Sequence, residues 1–249
     1  MNLAIETENR RQESELRQKD KDATDSVELV EIEELGKGIF QITLNRPNKG
    51  NALSIQLRNE MTLLLKKLVA DDKVKVLIIS GKGNSFCTGF DLKEFLNLAK
   101  PDLADTLWQS SDQYHEAVLN FPFPVIASIN GAALGGGFDL AVMCDLRIAS
   151  DNVEFAHPEI VMGEVVYSPL HELVGGALAR DLCLTGRKVK GEEALAINLI
   201  SQKVALEDLD KETLKLAKRI ARAPRDVLKR MKQKIVKRAD IPFVSTLDL

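Results

Sequence analysis

Cysteine and histidine are scarce, with three of each in 249 residues. Cys87, Cys144 and Cys183 are odd in number, scattered and set in mostly apolar surroundings, which argues against a disulfide framework or a zinc site and predicts buried free thiols. His115, His157 and His171 include no pair at ligand spacing on a predicted helix, so no catalytic metal is expected. Long apolar runs are also missing. Nothing approaches the roughly 20 residues that cross a bilayer, and the N-terminus has no apolar signal core. Glu6, Glu8, Glu13 and Glu15 argue against an acid-poor organelle transit peptide, so a soluble cytoplasmic protein is expected. A strong charge imbalance is absent too, the formal net charge being −3.

Hydrophobic residues make up 45% of the chain, enough for a substantial core. The first 26 residues are charged and lack apolar periodicity, which predicts a solvated, flexible extension ahead of a single domain over residues 27–249. Val27 to Glu33 and Gly38 to Leu44 read as paired strands joined at Gly36-Lys37-Gly38. Ser54 is a good N-cap for a helix whose apolar positions, Leu57, Met61, Leu64, Leu65 and Leu68, keep helical spacing up to Asp71-Asp72. Val74 to Ile79 and Pro124 to Ile129 read as buried strands, with helical segments from Asp91 and over 104–120. Short strands at 146–148 and 153–155 precede a helical C-terminal portion from about Pro169. Alternation of continuous apolar strands with helices predicts an α/β fold with buried strands, and a strand, strand, helix unit used more than once.

From Lys215 to Arg238 there are eleven Lys or Arg against one acid, Asp226. Leu216, Ile220, Val227, Leu228, Met231 and Ile235 give this run an apolar stripe, so a solvated basic face is preferred to nucleic-acid binding.

The most chemically loaded stretch is Phe121 to Glu159. A strand leads into Ala133-Leu134-Gly135-Gly136-Gly137, and a helix follows with Asp139 in its first turn. Glycines let backbone approach a ligand, and a helix start presents unpaired N–H groups at a positive dipole end, so this turn suits developing negative charge.

Four pieces carry a resemblance: Leu44-Asn45-Arg46-Pro47 with Asn51-Ala52-Leu53-Ser54; Ser85-Phe86-Cys87-Thr88-Gly89-Phe90-Asp91-Leu92-Lys93; Gly131 through Asp145; and His157-Pro158-Glu159-Ile160 with Gly163. In this order and spacing the chain resembles the crotonase superfamily of enoyl-CoA hydratases and isomerases, over about residues 27–235. The resemblance implies a spiral of ββα units, assembly into a homotrimer or hexamer, an acyl-CoA thioester substrate and no cofactor beyond the CoA that the substrate carries. It implies an oxyanion hole made by the backbone amides of Phe90 and Gly136, and two catalytic carboxylates. Of these, Asp139 is the candidate for water activation and Glu159 for proton transfer at the α-carbon. Ala52 and the Phe90, Asp91, Leu92 and Lys93 backbone correspond to CoA-contacting positions, with Lys93 a candidate phosphate contact.

The leading expectation is therefore hydration of a 2-enoyl-CoA, with double-bond isomerisation second; an RNA-binding or inactive member is the reading from other classes. Three departures bear on it. Hydratases usually have Glu where this chain has Asp139, which is one methylene shorter and withdraws the oxygens by about 1.5 Å. The usual Pro-Gly-rich loop is replaced by Val165-Val166-Tyr167-Ser168-Pro169-Leu170-His171; where some dienoyl-CoA isomerases carry a further Asp, this chain has Tyr167, with Glu164 the nearest acid. The sequence ends about where the family's last one or two helices are expected to begin.

Overall fold

The structure, a computed structural model, describes residues 28–96, 101–241 and 243–249. The expected N-terminal extension lies outside the described residues. Within them, β1 (Val30–Gly36) and β2 (Ile39–Leu44) form the antiparallel hairpin that the Gly36-Lys37-Gly38 turn predicts. Helix α1 (Ile55–Ala70) starts at Ser54, whose hydroxyl accepts the Leu57 N–H, a cap worth about 1 kcal/mol. It stops at Asp71 as the spacing predicts.

Strands β3 (Val76–Gly81), β5 (Val125–Ile129), β7 (Leu146–Ser150) and β10 (Gln202–Val204) join β2 in parallel, giving a six-stranded sheet in the order β1-β2-β3-β5-β7-β10. β5 is buried at every position because both faces are covered, which is why its sequence is continuously apolar. Alternate residues divide between two cores: Leu77 and Ile79 face the main core with α1, while Val76, Ile78 and Ile126 pack under helix α7 (Leu209–Ile220).

A second sheet runs β4-β6-β8-β9, built from Ser85–Cys87, Ala132–Leu134, Glu154–Ala156 and Val189–Lys190. β4, β6 and β8 are mutually parallel, and β9 is antiparallel to β8. Each long strand of the first sheet thus hands over to a short strand of the second before a helix returns: β3 to β4 and then α2 (Leu92–Phe95) and α3 (Pro101–Leu119), β5 to β6 and then α4 (Gly136–Met143), β7 to β8 and then α5 (Ser168–Thr185). This is the repeated strand, strand, helix unit. Helices α6 (Gly191–Ala196), α7 and α8 (Arg225–Ala239) complete the helical C-terminal portion.

The short strands β4, β6 and β9 were not separable from their neighbouring turns in the sequence, since each has three residues or fewer and only pairing defines it. The basic α8 also differs from its expected stripe. Leu228 and Lys232 are buried, whereas Val227, Met231 and Ile235 are exposed. Lys232 turns inward because Asp145 waits there, 2.7 Å from its Nζ. All three cysteines are buried and free, and burial pushes the Cys87 and Cys144 thiols up to about 12.

Candidate active site

Parallel strands put the ends of successive segments side by side. Cys87 pairs with Ala133 and Leu134 with Ala156, so the residues that follow β4, β6 and β8 emerge together from one end of the small sheet. Those residues are Gly89-Phe90, Gly135-Gly136 and His157-Pro158-Glu159. Three of the four motif segments thereby meet at one place, as ligand sites do at the carboxyl ends of parallel strands.

The first loop is held by the fourth segment. Leu53 donates its N–H to Gly89 O at 2.8 Å and accepts from the Asp91 N–H at 3.4 Å, a parallel bridge centred on Phe90. In such a bridge the central residue's own N–H points away from its partner, so the Phe90 amide is directed off Leu53. A Cβ built on Gly89 would stand 3.1 Å from the Gly136 nitrogen, which places the two loops in contact. Gly136 is the first residue of α4, and its N–H is among those a helix leaves unpartnered. Close docking of this helix start depends on Gly137: a Cβ there would sit 2.0 Å from the Cys87 carbonyl oxygen.

Asp91, Ala52 and Arg46 form the scaffold of the first loop. Arg46 donates to the Ala52 carbonyl and pairs with Asp91 at 2.9 Å, while the other Asp91 oxygen caps α2 through the Lys93 N–H. The Arg46 guanidinium and these N–H groups hold the Asp91 carboxyl below its usual range despite the opposing effect of burial. The side chain of Asp91 and the carbonyl of Ala52 are thus engaged within the protein, which leaves their loop as a rigid wall; Leu92 and Lys93 stand exposed at its rim.

The two acids converge. Gly135 adopts φ 52° and ψ −129°, a conformation open to glycine alone, and a Cβ on it would lie 2.8 Å from Oε1 and 2.9 Å from Oε2 of Glu159. The Glu159 carboxylate therefore lies directly over the turn that starts α4. Its pKa is raised to about 7, first by burial and then by the negative charge of Asp139. Asp139 is buried and its Oδ1 lies 2.8 Å from Nε2 of His157, a fully buried ring stacked on Phe138 at 4.6 Å. Burial by itself would depress the His157 pKa, but the charge of Asp139 and the hydrogen bond to it raise it to about 10. Among the described residues, Asp139, His157 and Glu159 are the one set of this kind whose donor atoms all lie within 4.8 Å of one another. The contact between Nε2 and Oδ1 is a hydrogen bond in which the ring nitrogen donates to the carboxylate oxygen.

This pairing brings a histidine into the site that sequence spacing did not single out, since it joins residues from different ββα units. Arg58 was also missed. It lies on the apolar face of α1, fully buried, and donates to the Leu53 and Leu107 carbonyls and to Ser110 Oγ. Its guanidinium sits 4.6 Å from the centre of the Phe90 ring, and burial lowers its pKa to about 10. A lone arginine inside an otherwise apolar stripe was the available signal. Tyr167 and His171, from the segment that replaces the family's usual Pro-Gly-rich loop, pack against each other at 5.4 Å at the start of α5. The Tyr167 N–H donates to the Leu249 carbonyl group, which ties this loop to the C-terminal segment.

The sequence profile of the enoyl-CoA hydratase/isomerase family matches residues 34–248. The chain belongs to this family. It is 39% identical over 210 residues to a probable enoyl-CoA hydratase of Mycobacterium leprae, covering 83% of this chain and 79% of that one. Another family relative, a probable enoyl-CoA hydratase of Rhizobium meliloti, is 40% identical over 204 residues, covering 79% and 76%. Among solved structures of the family, the enoyl-CoA hydratase of Mycobacterium smegmatis superposes with a TM-score of 0.80 at 27% identity, over 87% of this chain and 85% of that one.

Proposed function

We propose that this protein is an enoyl-CoA hydratase that adds water reversibly across the double bond of a 2-enoyl-CoA thioester. The observation that carries the reading is the convergence of Asp139 and Glu159 beside the Gly135-Gly136 turn and the Phe90 loop. In this reading the Phe90 and Gly136 amides receive the thioester oxygen, which gains negative charge as the β-carbon is attacked. Preorganised donors of this kind contribute on the order of 3 kcal/mol each. Asp139, an anion, accepts a proton from water as the water oxygen bonds to the β-carbon. Glu159 in its protonated form delivers a proton to the α-carbon. The proton taken up by Asp139 then passes to Glu159, restoring both groups. Water addition leaves the number of protons on the enzyme unchanged and transfers no electrons, so the scheme balances with these residues and water alone.

CoA would lie along the Ala52 to Lys93 wall, with Lys93 at its charged end. The exposed apolar residues Val227, Met231 and Ile235 on α8 support assembly into a homotrimer or hexamer. No helix among the described residues is long and apolar enough to cross a membrane, and bacterial relatives support a cytoplasmic location.

Crotonyl-CoA tests the reading directly. The enoyl absorbance should fall on mixing, and Asp139→Asn and Glu159→Gln should each slow the reaction by about a hundredfold or more. No loss of absorbance, together with activity on a 3-enoyl-CoA that needs Glu159 alone, would replace hydration with double-bond isomerisation.

A further inference from the structure

We propose that Arg58 is a positioning residue of the oxyanion hole, which holds the Phe90 amide in place and, through the Phe90 ring, braces the helix start that offers the Gly136 amide. The inference rests on the part of the hydratase reading that gives those two amides the thioester oxygen. It does not depend on which carboxylate moves a proton.

Arg58 lies fully buried on the apolar face of α1, and its hydrogen bonds end on neutral oxygens. Nη1 donates to the Leu53 carbonyl at 2.6 Å, Nε and Nη2 donate to Ser110 Oγ at 3.0 and 2.8 Å, and Nη2 also reaches the Leu107 carbonyl at 3.4 Å. Taking a guanidinium out of water with no carboxylate bonded to it is unfavourable, and a leucine or methionine would fill the same stripe without that penalty. What an apolar side chain lacks is direction. The planar fork of the arginine ties α1 to two residues of α3 and to Leu53 in a single geometry.

Leu53 is the residue that fixes the first loop. Its N–H donates to the Gly89 carbonyl and its own carbonyl accepts from the Asp91 N–H, so the residues on both sides of Phe90 are bonded to it. The Asp91 bond is long, at 3.4 Å, whereas Arg58 holds the same carbonyl oxygen at 2.6 Å. The direction of the Leu53 carbonyl is therefore set by the guanidinium more than by the loop. The Phe90 ring supplies a second link. Its centre lies 4.6 Å from the guanidinium carbon, within cation–π range, and its Cδ2 and Cε2 atoms would meet a Cβ on Gly136 at 3.3 and 3.4 Å. Leu53 Cδ1 would meet the same Cβ at 3.2 Å. Both residues that Arg58 touches at the loop thus pack against the first residue of α4. Oxyanion donors act only when aimed at the oxygen beforehand, so loosening this brace weakens both at once.

Two variants test the assignment. Arg58→Met keeps an unbranched chain without the fork, and Ser110→Ala removes the acceptor that fixes Nε and Nη2 while leaving the loop and α1 unaltered. With crotonyl-CoA, kcat should fall by about tenfold or more in Arg58→Met and by about threefold in Ser110→Ala, with KM within about threefold in both. Ser110→Ala should cost little further in the Arg58→Met background, because the serine acts through the arginine. The second readout is infrared spectroscopy of bound butyryl-CoA carrying carbon-13 at its thioester carbonyl, a saturated thioester that has no double bond to hydrate. The unaltered protein should lower the carbonyl stretch relative to water, and Arg58→Met should lose about half or more of that lowering. A purely structural arginine would change stability and leave the stretch of the folded variant unmoved. A folded Arg58→Met protein with the unaltered kcat or the unaltered stretch overturns the proposal, and if that variant does not fold, an unchanged kcat in Ser110→Ala overturns it. An unaltered protein that leaves the butyryl-CoA carbonyl as it is in water overturns it together with the oxyanion hole. A lowered stretch without hydration of crotonyl-CoA would count against the hydratase reading alone, with Arg58 still judged by the carbonyl.

Discussion

A carboxylic acid that titrates near neutrality is an effective proton donor at physiological pH, and Glu159 is brought there by burial and by its neighbour Asp139. Its placement depends on one glycine. Because the Glu159 oxygens occupy the space a Cβ at position 135 would need, Gly135→Ala should push the carboxylate aside and strain a backbone at φ 52°. Displacement of a catalytic group by about 1 Å can lower rates by about a hundredfold, so kcat/KM on crotonyl-CoA should fall by that order while far-ultraviolet circular dichroism stays native. At this scale both acids and the glycine turn were legible in sequence, since each sits in a local motif. The pairing of His157 with Asp139 was not. Its partner is 18 residues away and on another ββα unit, so only the pairing of β6 with β8 brings them together.

Elements were legible where local signals agree with tertiary demand. Ser54 caps α1, Asp91 caps α2, and the buried strands β3 and β5 announce themselves by continuous apolar runs. Helix α8 shows where that agreement ends. Its apolar residues suggested the inward face, yet a lysine takes that place because Lys232 meets both oxygens of Asp145, which also accepts the Val125 N–H at the start of β5. One buried ion pair therefore ties α8 to the central sheet. Lys232→Ala would leave the Asp145 charge uncompensated and should lower the free energy of unfolding by about 3 kcal/mol, read from urea denaturation. Removing both charges with Asp145→Asn and Lys232→Met should recover most of that loss, since a well-packed neutral pair escapes the desolvation penalty. Equal losses in the single and double variants would place the contribution in packing and not in charge.

For the whole molecule, the buried Glu159 and His157 give folding a pH signature. The Glu159 pKa rises from 4.5 to about 7 on folding, so folding favours its protonated form. Stability from this source is fully present below about pH 4.5 and is lost as pH rises through about 7. The His157 pKa rises from 6.5 to about 10, and its contribution is fully present below about pH 6.5 and lost as pH rises through about 10. Both shifts therefore have the same sign, and together they predict that the protein unfolds at lower urea concentration at pH 9 than at pH 6. Glu159→Gln removes the first contribution only. Relative to the unaltered chain it should become progressively more stable between about pH 5 and pH 8, by roughly 1–2 kcal/mol at the upper end, while losing activity. A stability difference between the two proteins that stays flat over that interval would mean that Glu159 titrates as an ordinary surface acid, and would remove the electrostatic basis for its part in catalysis.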